Sequence, residues 1–161
     1  MPVRPRCQAR SRASSSRQSN PSNLACRLRR FSSGLKELDR VLGGGIVPGS
    51  AILIGGSPGA GKSTLLLQVM CQQAASKPAL YVTGEESLQQ VAMRARRLGL
   101  PDDKLMMLAE TNVEMICDLA LKQKPQIMVI DSIQVMHVSD VQSAPGSVSQ
   151  VRESAAYLTR F

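Results

Sequence analysis

The run Gly56-Ser57-Pro58-Gly59-Ala60-Gly61-Lys62-Ser63 sets a lysine and a hydroxyl directly behind a glycine-rich turn. A glycine, four free positions, then glycine, lysine and serine or threonine is the pattern of a loop that cradles the phosphates of a nucleoside triphosphate. Ordinary residue frequencies would produce it in a chain of this size on the order of once in a few hundred cases. Glycines let backbone N–H groups turn inward around phosphate oxygens, and a helix starting behind them adds the partial positive charge of its N-terminus. In such a loop Lys62 reaches the β- and γ-phosphates of ATP and Ser63 offers a hydroxyl to Mg2+. Thr64 follows at the head of the helix and is counted with the phosphate-binding residues.

Two acids complete this chemistry. The apolar run Ile127-Met128-Val129-Ile130 leads straight into Asp131. A strand ending in that aspartate delivers a carboxylate to the edge of a sheet, where it can hold the shell of a magnesium ion. Glu85 closes another apolar strand at the same edge and is the candidate general base for polarising an attacking water. The neighbouring Glu86 is turned away from it by one backbone step. A plainer role for both glutamates is to open the next helix, where acids favour the dipole.

The elements that must position these groups alternate. Phe31–Leu42 reads as a short helix with Leu35, Leu38 and Leu42 on one side, ended by Gly43-Gly44-Gly45 and turned by Pro48-Gly49. Ala51-Ile52-Leu53-Ile54 predicts a buried strand before the phosphate loop, and Thr64–Met70 a helix after it. Ala79–Thr83 predicts the next strand. A helix then opens with a capping box of Ser87 and Gln90. Its buried stripe is Leu88, Val91, Ala92, Ala95 and Leu98, with Arg94, Arg96 and Arg97 nearer a solvated side. Leu105–Leu108 predicts a strand. Thr111 and Glu114 cap a helix with Val113, Ile116, Cys117 and Ala120 turned inward. Strands apolar on both faces, alternating with helices, predict an α/β fold with a mostly parallel sheet flanked by helices.

The formal net charge is +8, which by itself would suggest a nucleic-acid partner. Its distribution removes that argument. Residues 1–30 hold eight arginines and no acid, whereas basic and acidic residues balance at twelve each from Phe31 onward. The first thirty residues read as a disordered basic tail with too little apolar surface to fold alone. A transit peptide and a basic arm against nucleic-acid backbone are the other readings of its composition. Cys7, Cys26, Cys71 and Cys117 form no close pairs of the kind that bind zinc, and the last two fit helix cores. His137 stands without companion ligands. No apolar run is long enough to span a membrane.

Taken together, the residues resemble a known family. Phe31-Ser32-Ser33-Gly34, Leu38-Asp39-Arg40-Val41-Leu42-Gly43-Gly44-Gly45 and Pro48-Gly49 look like the opening of RecA-type ATPase cores. Tyr81-Val82-Thr83-Gly84-Glu85-Glu86-Ser87-Leu88-Gln89-Gln90 and the run Ser143–Glu153 resemble, more narrowly, a bacterial family of recombinational-repair ATPases. The resemblance covers Phe31 to Phe161 and implies a P-loop NTPase of the RecA type, here a partial ATPase domain over 31–161.

It further implies a cytoplasmic, DNA-dependent ATP hydrolase that forms a homo-oligomeric ring, a hexamer. Such an enzyme binds single-stranded or branched DNA and promotes branch migration alongside the RecA recombinase. It supports Lys62, Ser63, Asp131 and Glu85 in the roles above, and makes Ser132–Gln150 the first DNA-facing loop. A flexible surface loop capped by Ser147 and Gln150 is the plainer reading of that segment. The family normally carries a zinc finger of two Cys-x-x-Cys pairs ahead of the core, and residues 1–30 hold no such pairs. It also continues past the position of Phe161, through a strand that inserts between the Asp131 strand and the phosphate-loop strand. The expected sheet is therefore incomplete at its C-terminal side. A KaiC-like ATPase, or a nucleotide-binding fragment without turnover, are the alternative readings.

Overall fold

The computed structural model describes residues 29–161, so residues 1–28 of the expected basic tail lie outside it. The described elements run α1 (Lys36–Val41), α2 (Lys62–Ala74), β1 (Ala79–Thr83), α3 (Leu88–Arg97), β2 (Met106–Ala109), α4 (Val113–Gln123), β3 (Ile127–Asp131), a 3-10 turn (Ile133–Val135) and α5 (Val148–Arg160). The three strands form one parallel sheet in the order β2-β1-β3. Parallel neighbours need crossover connections, and α3 and α4 supply them.

The central strand explains the layers. All five residues of β1 are buried, because helices cover both faces of the sheet. Ala79 and Tyr81 face α2 and α3, packing with Leu67, Met70, Cys71, Ala74, Val91 and Ala95. Leu80 and Val82 face the other way, against Val113, Ile116, Cys117 and Ala120 of α4 together with Met136 and Val138. Cys71 and Cys117 are thus core residues on opposite sides of the sheet. Burial pushes the Cys71 thiol up to about 11, so it stays a small protonated hydrophobe.

One expected strand is not formed. Ala51–Ile54 joins no ladder, and Ile52 and Leu53 are 43% and 86% exposed. Apolar character records a preference for burial, whereas a strand also needs a partner for its N–H and C=O groups. β3 pairs only with β1 among the described residues, so no neighbour is in place for residues 51–54. The same open edge leaves β3 half-buried along its whole length.

Smaller corrections have local causes. The first helix is confined to Lys36–Val41 with no buried residue. Ahead of it, Phe31 makes an antiparallel bridge to Ile46 and Asp39 accepts hydrogen bonds from Ser32 Oγ and Ser33 N. Arg30 Nη1 donates to the Leu42 carbonyl at 2.7 Å, satisfying the end of α1. In α3 the Ser87–Gln90 capping box forms as expected. Only Val91 and Ala95 of the stripe are buried, and Leu88 and Leu98, at the two ends of the helix, are exposed. Arg94 is not on a solvated side: it lies half-buried in an ion pair with Glu86. The strand expected over Leu105–Leu108 is β2, shifted by one residue to Met106–Ala109.

Around α4 the N-cap is Asn112 rather than Thr111, with Oδ1 accepting from Met115 N. Glu114 does not reach back to the cap; it accepts from Ser139 N and anchors the loop after β3. That loop, Ser132–Gln150, carries the 3-10 turn and is tied down at several points. Ser147 caps α5 as expected, by accepting from Gln150 N. The buried Gln150 side chain instead turns inward to hold the backbone of residues 138–143.

Candidate active site

The phosphate loop precedes α2 with the conformation its glycines require. Gly59 and Gly61 have φ of 77° and 84°, where a side chain would be strained, and Gly61 is the N-cap of α2. The loop from Gly55 to Gly61 is exposed. Lys62 Nζ folds across it, donating to the carbonyls of Gly56 and Ser57 at 2.9 Å each. Ser63 and Thr64 occupy the first turn of α2, both half-buried. The opening N–H groups of a helix have no intrahelical acceptor and point out of its N-terminus. A lysine arched over the loop beside the N-terminus of a helix is an arrangement chemically able to receive oxyanions.

β1 and β3 bring the two acids to one edge. Thr83 and Asp131 are register partners at the ends of adjacent parallel strands, and Gly84 N donates to the Asp131 carbonyl at 2.9 Å. Asp131 falls two residues beyond Val129, on the sheet face that α2 covers. Its Oδ2 accepts a 2.5 Å hydrogen bond from the Tyr81 hydroxyl. Burial first, and then that bond, push the Tyr81 phenol above its ordinary value, so it remains a donor.

Glu85 is exposed just past β1, and Ser132 Oγ donates to its Oε1 at 2.6 Å. The peptide between Asp131 and Ser132 is cis. Glu86 diverges, as its place in the sequence predicts, and pairs with Arg94 of α3. Gly84 makes the whole corner compact: a Cβ there would overlap Val135 of the 3-10 turn and press on Met136 and Thr111.

Three contributors escaped the sequence reading: Tyr81, Ser132 and Gly84. A signal existed for the first. Tyr81 is a hydroxyl-bearing residue inside the strand, two positions before Thr83, the register partner of Asp131, and therefore on the same sheet face as both.

The donor set suits magnesium. Ser63 and Asp131 offer hard oxygen ligands, and Oδ1 of Asp131 makes no hydrogen bond among the described residues. Those residues contain no group of three or more His, Cys, Asp and Glu able to cage a metal. Magnesium is usually held by one or two protein oxygens, with phosphates and waters completing its shell. No helix among the described residues is long and apolar enough to cross a membrane.

A family model described as "ATPase: KaiC" matches residues 31–116. The DNA repair protein RadA of Haemophilus influenzae is 76% identical to this chain over 132 residues. The RadA proteins of Escherichia coli and Bacillus subtilis are 73% and 52% identical over 134 and 133 residues. Each alignment takes in 82–83% of this chain and 29% of the relative, so the chain spans less than a third of the curated relatives it matches.

Proposed function

Because this chain belongs to the KaiC-type family of ATPases, with RadA repair proteins among its relatives, we propose that it carries the nucleotide-hydrolysing core of a DNA repair ATPase. The observation that carries the reading is the convergence of Glu85 and Asp131, from adjacent parallel strands, at the sheet edge that adjoins the phosphate-loop helix.

Each residue has a role its surroundings suit. The loop amides of Gly56–Gly61 and the N-terminus of α2 bind phosphate oxygens. Lys62 exchanges its two backbone acceptors for the β- and γ-phosphates. Ser63 and Asp131 would hold Mg2+, which would offset charge on the phosphates. Thr64 supports the first turn of α2. Glu85 orients a water and takes its proton, with Ser132 fixing the carboxylate. General-base catalysis of this kind contributes about 10²–10⁴-fold.

For the whole protein we extend the reading to single-stranded or branched DNA, branch migration beside RecA, and assembly into a ring. The names of the relatives support repair, and the Ser132–Gln150 loop offers serines and backbone amides that could touch phosphates. That loop has neither lysine nor arginine, so contact with DNA there would rest on hydrogen bonds rather than on lysine or arginine ion pairs.

The test is ATP turnover by the chain, with and without single-stranded DNA, beside Lys62→Ala. DNA-stimulated hydrolysis that disappears in Lys62→Ala is the expected result. Nucleotide binding without turnover, indifferent to Glu85→Gln, would instead establish a non-catalytic binding module.

A further inference from the structure

Tyr81 heads the fully buried side chains of the described residues by size, with no exposed surface. Its ring lies in the apolar cluster beneath α2 and α3, among Leu67, Met70, Val91 and Ala95. A phenol placed so deeply needs a partner for its O–H. The partner is Asp131 Oδ2, at 2.5 Å across the β1–β3 ladder. Oδ1 of the same carboxylate has no hydrogen bond among the described residues. A carboxylate at a strand end can rotate about its terminal torsion, which is broad. One short bond from a ring locked by packing removes that freedom and makes the two oxygens unequal.

We infer that Tyr81 is a positioning residue for Asp131: its hydroxyl fixes Oδ2, leaving Oδ1 as the oxygen available to Mg2+ or to a water bound to it. The inference rests on the nucleotide-binding reading above. Partners that orient a ligand in this way typically change metal affinity about 10–100-fold when removed.

The experiment titrates Mg2+ into the full chain with a fluorescent ATP analogue, comparing the parent, Tyr81→Phe, Asp131→Asn and the double variant. Tyr81→Phe keeps the ring and should bind the analogue normally in EDTA. The Mg2+ concentration for half-maximal response should rise about tenfold or more. In the Asp131→Asn background the same change should add nothing, because residues acting through one another are not additive. An unchanged Mg2+ midpoint in Tyr81→Phe, or an effect that persists in full on Asp131→Asn, overturns the inference.

A second measurement leaves Tyr81 in place. The chain has two tyrosines, so biosynthetic fluorotyrosine gives two fluorine NMR signals, assigned with Tyr157→Phe. The Tyr81 signal should shift as Mg2+ is added with nucleotide, and should not in Asp131→Asn; indifference to Mg2+ in the parent overturns the proposal. A parent chain that binds no nucleotide removes the phosphate-loop reading and this inference with it. A parent that binds, with Tyr81→Phe indistinguishable from it, removes this inference alone.

Discussion

Ser132 Oγ donates a 2.6 Å hydrogen bond to Glu85 Oε1, joining the residue after β3 to the residue two beyond β1. Forty-seven residues of sequence separate them, and the parallel pairing of Thr83 with Asp131 brings them together. The bond orients the carboxylate proposed above as the base. Glu85→Gln should therefore lower ATP turnover by about 10²–10⁴-fold while nucleotide binding is retained. Ser132→Ala removes only the orienting bond, and its loss of turnover should be less than that of Glu85→Gln. Equal turnover in Glu85→Gln and parent would exclude Glu85 as the base.

Gln150 is 2% exposed, and its side chain accepts from Val138 N and donates to the carbonyls of Val141 and Ser143 at 2.9–3.0 Å. Gln150→Ala leaves buried backbone groups without partners, at about 1–3 kcal/mol for such a group. Chemical denaturation should show that loss, and limited proteolysis should cut faster between residues 139 and 146. A loop equally resistant in both proteins would mean that Ser147 and Glu114 suffice to hold it.

How far the sequence disclosed this arrangement depended on whether a residue's role was local. The glycine turn ahead of α2, the Ser87–Gln90 box and the burial of Val113, Ile116, Cys117 and Ala120 follow from short-range spacing, and the structure contains them. The placement of Asp131 at the end of an apolar strand was legible, whereas Glu85, expected to close the other strand, lies two residues beyond Thr83, where β1 ends. The bonds of Tyr81 and Ser132 to these acids, by contrast, depend on the register between two strands some fifty residues apart. Ala51–Ile54 was misread for the complementary reason: its composition asks for burial, but pairing is decided by a neighbour the pattern does not contain. The same holds at α4, where Thr111 is the expected cap but Asn112 Oδ1 accepts from Met115 N, while Thr111 N and Asn112 N both donate to Glu110.

Those two backbone bonds hold the Glu110 carboxyl below its ordinary value of 4.5, mainly through Asn112 N and then Thr111 N. A depressed carboxyl contributes stability that is present above the unfolded value and lost as pH falls through the folded one. The parent should thus be more stable than Glu110→Gln near neutral pH, with the gap narrowing as pH drops below about 4.5. Unfolding midpoints measured across that range check the sign. A gap that widens on acidification would show that Glu110 is not held in its charged form.

At Gly84 the end of β1 passes too close to Val135 and Met136 for any side chain. Gly84→Ala must displace the Val135 side chain of the 3-10 turn, and overpacking of this kind costs about 1–3 kcal/mol. The turn begins directly after Ser132, so the displacement also lengthens the Ser132–Glu85 contact. Turnover measured well below the unfolding temperature should fall even where the variant remains folded. Gly49 provides the control, since a Cβ there meets nothing within 4 Å. Gly49→Ala still carries strain from its φ of 76°, but should leave turnover unchanged. If both variants lose activity equally, backbone strain rather than the crowded corner is responsible.

Leu53 is 86% exposed in an apolar stretch that has no ladder partner, beside a sheet whose β3 pairs on one side only among the described residues. Unpaired backbone with apolar side chains is a template for association between chains. Light scattering should therefore rise with protein concentration, and Leu53→Lys should suppress it by placing a charge on the exposed stretch. Because the side chain buries little surface within the chain, the same substitution should shift the unfolding free energy by less than about 0.5 kcal/mol. A loss of 2 kcal/mol or more, on the order expected for a buried leucine, would mean that Leu53 is covered in solution. Whether that loss depended on protein concentration would then separate burial against a second copy from burial within one chain.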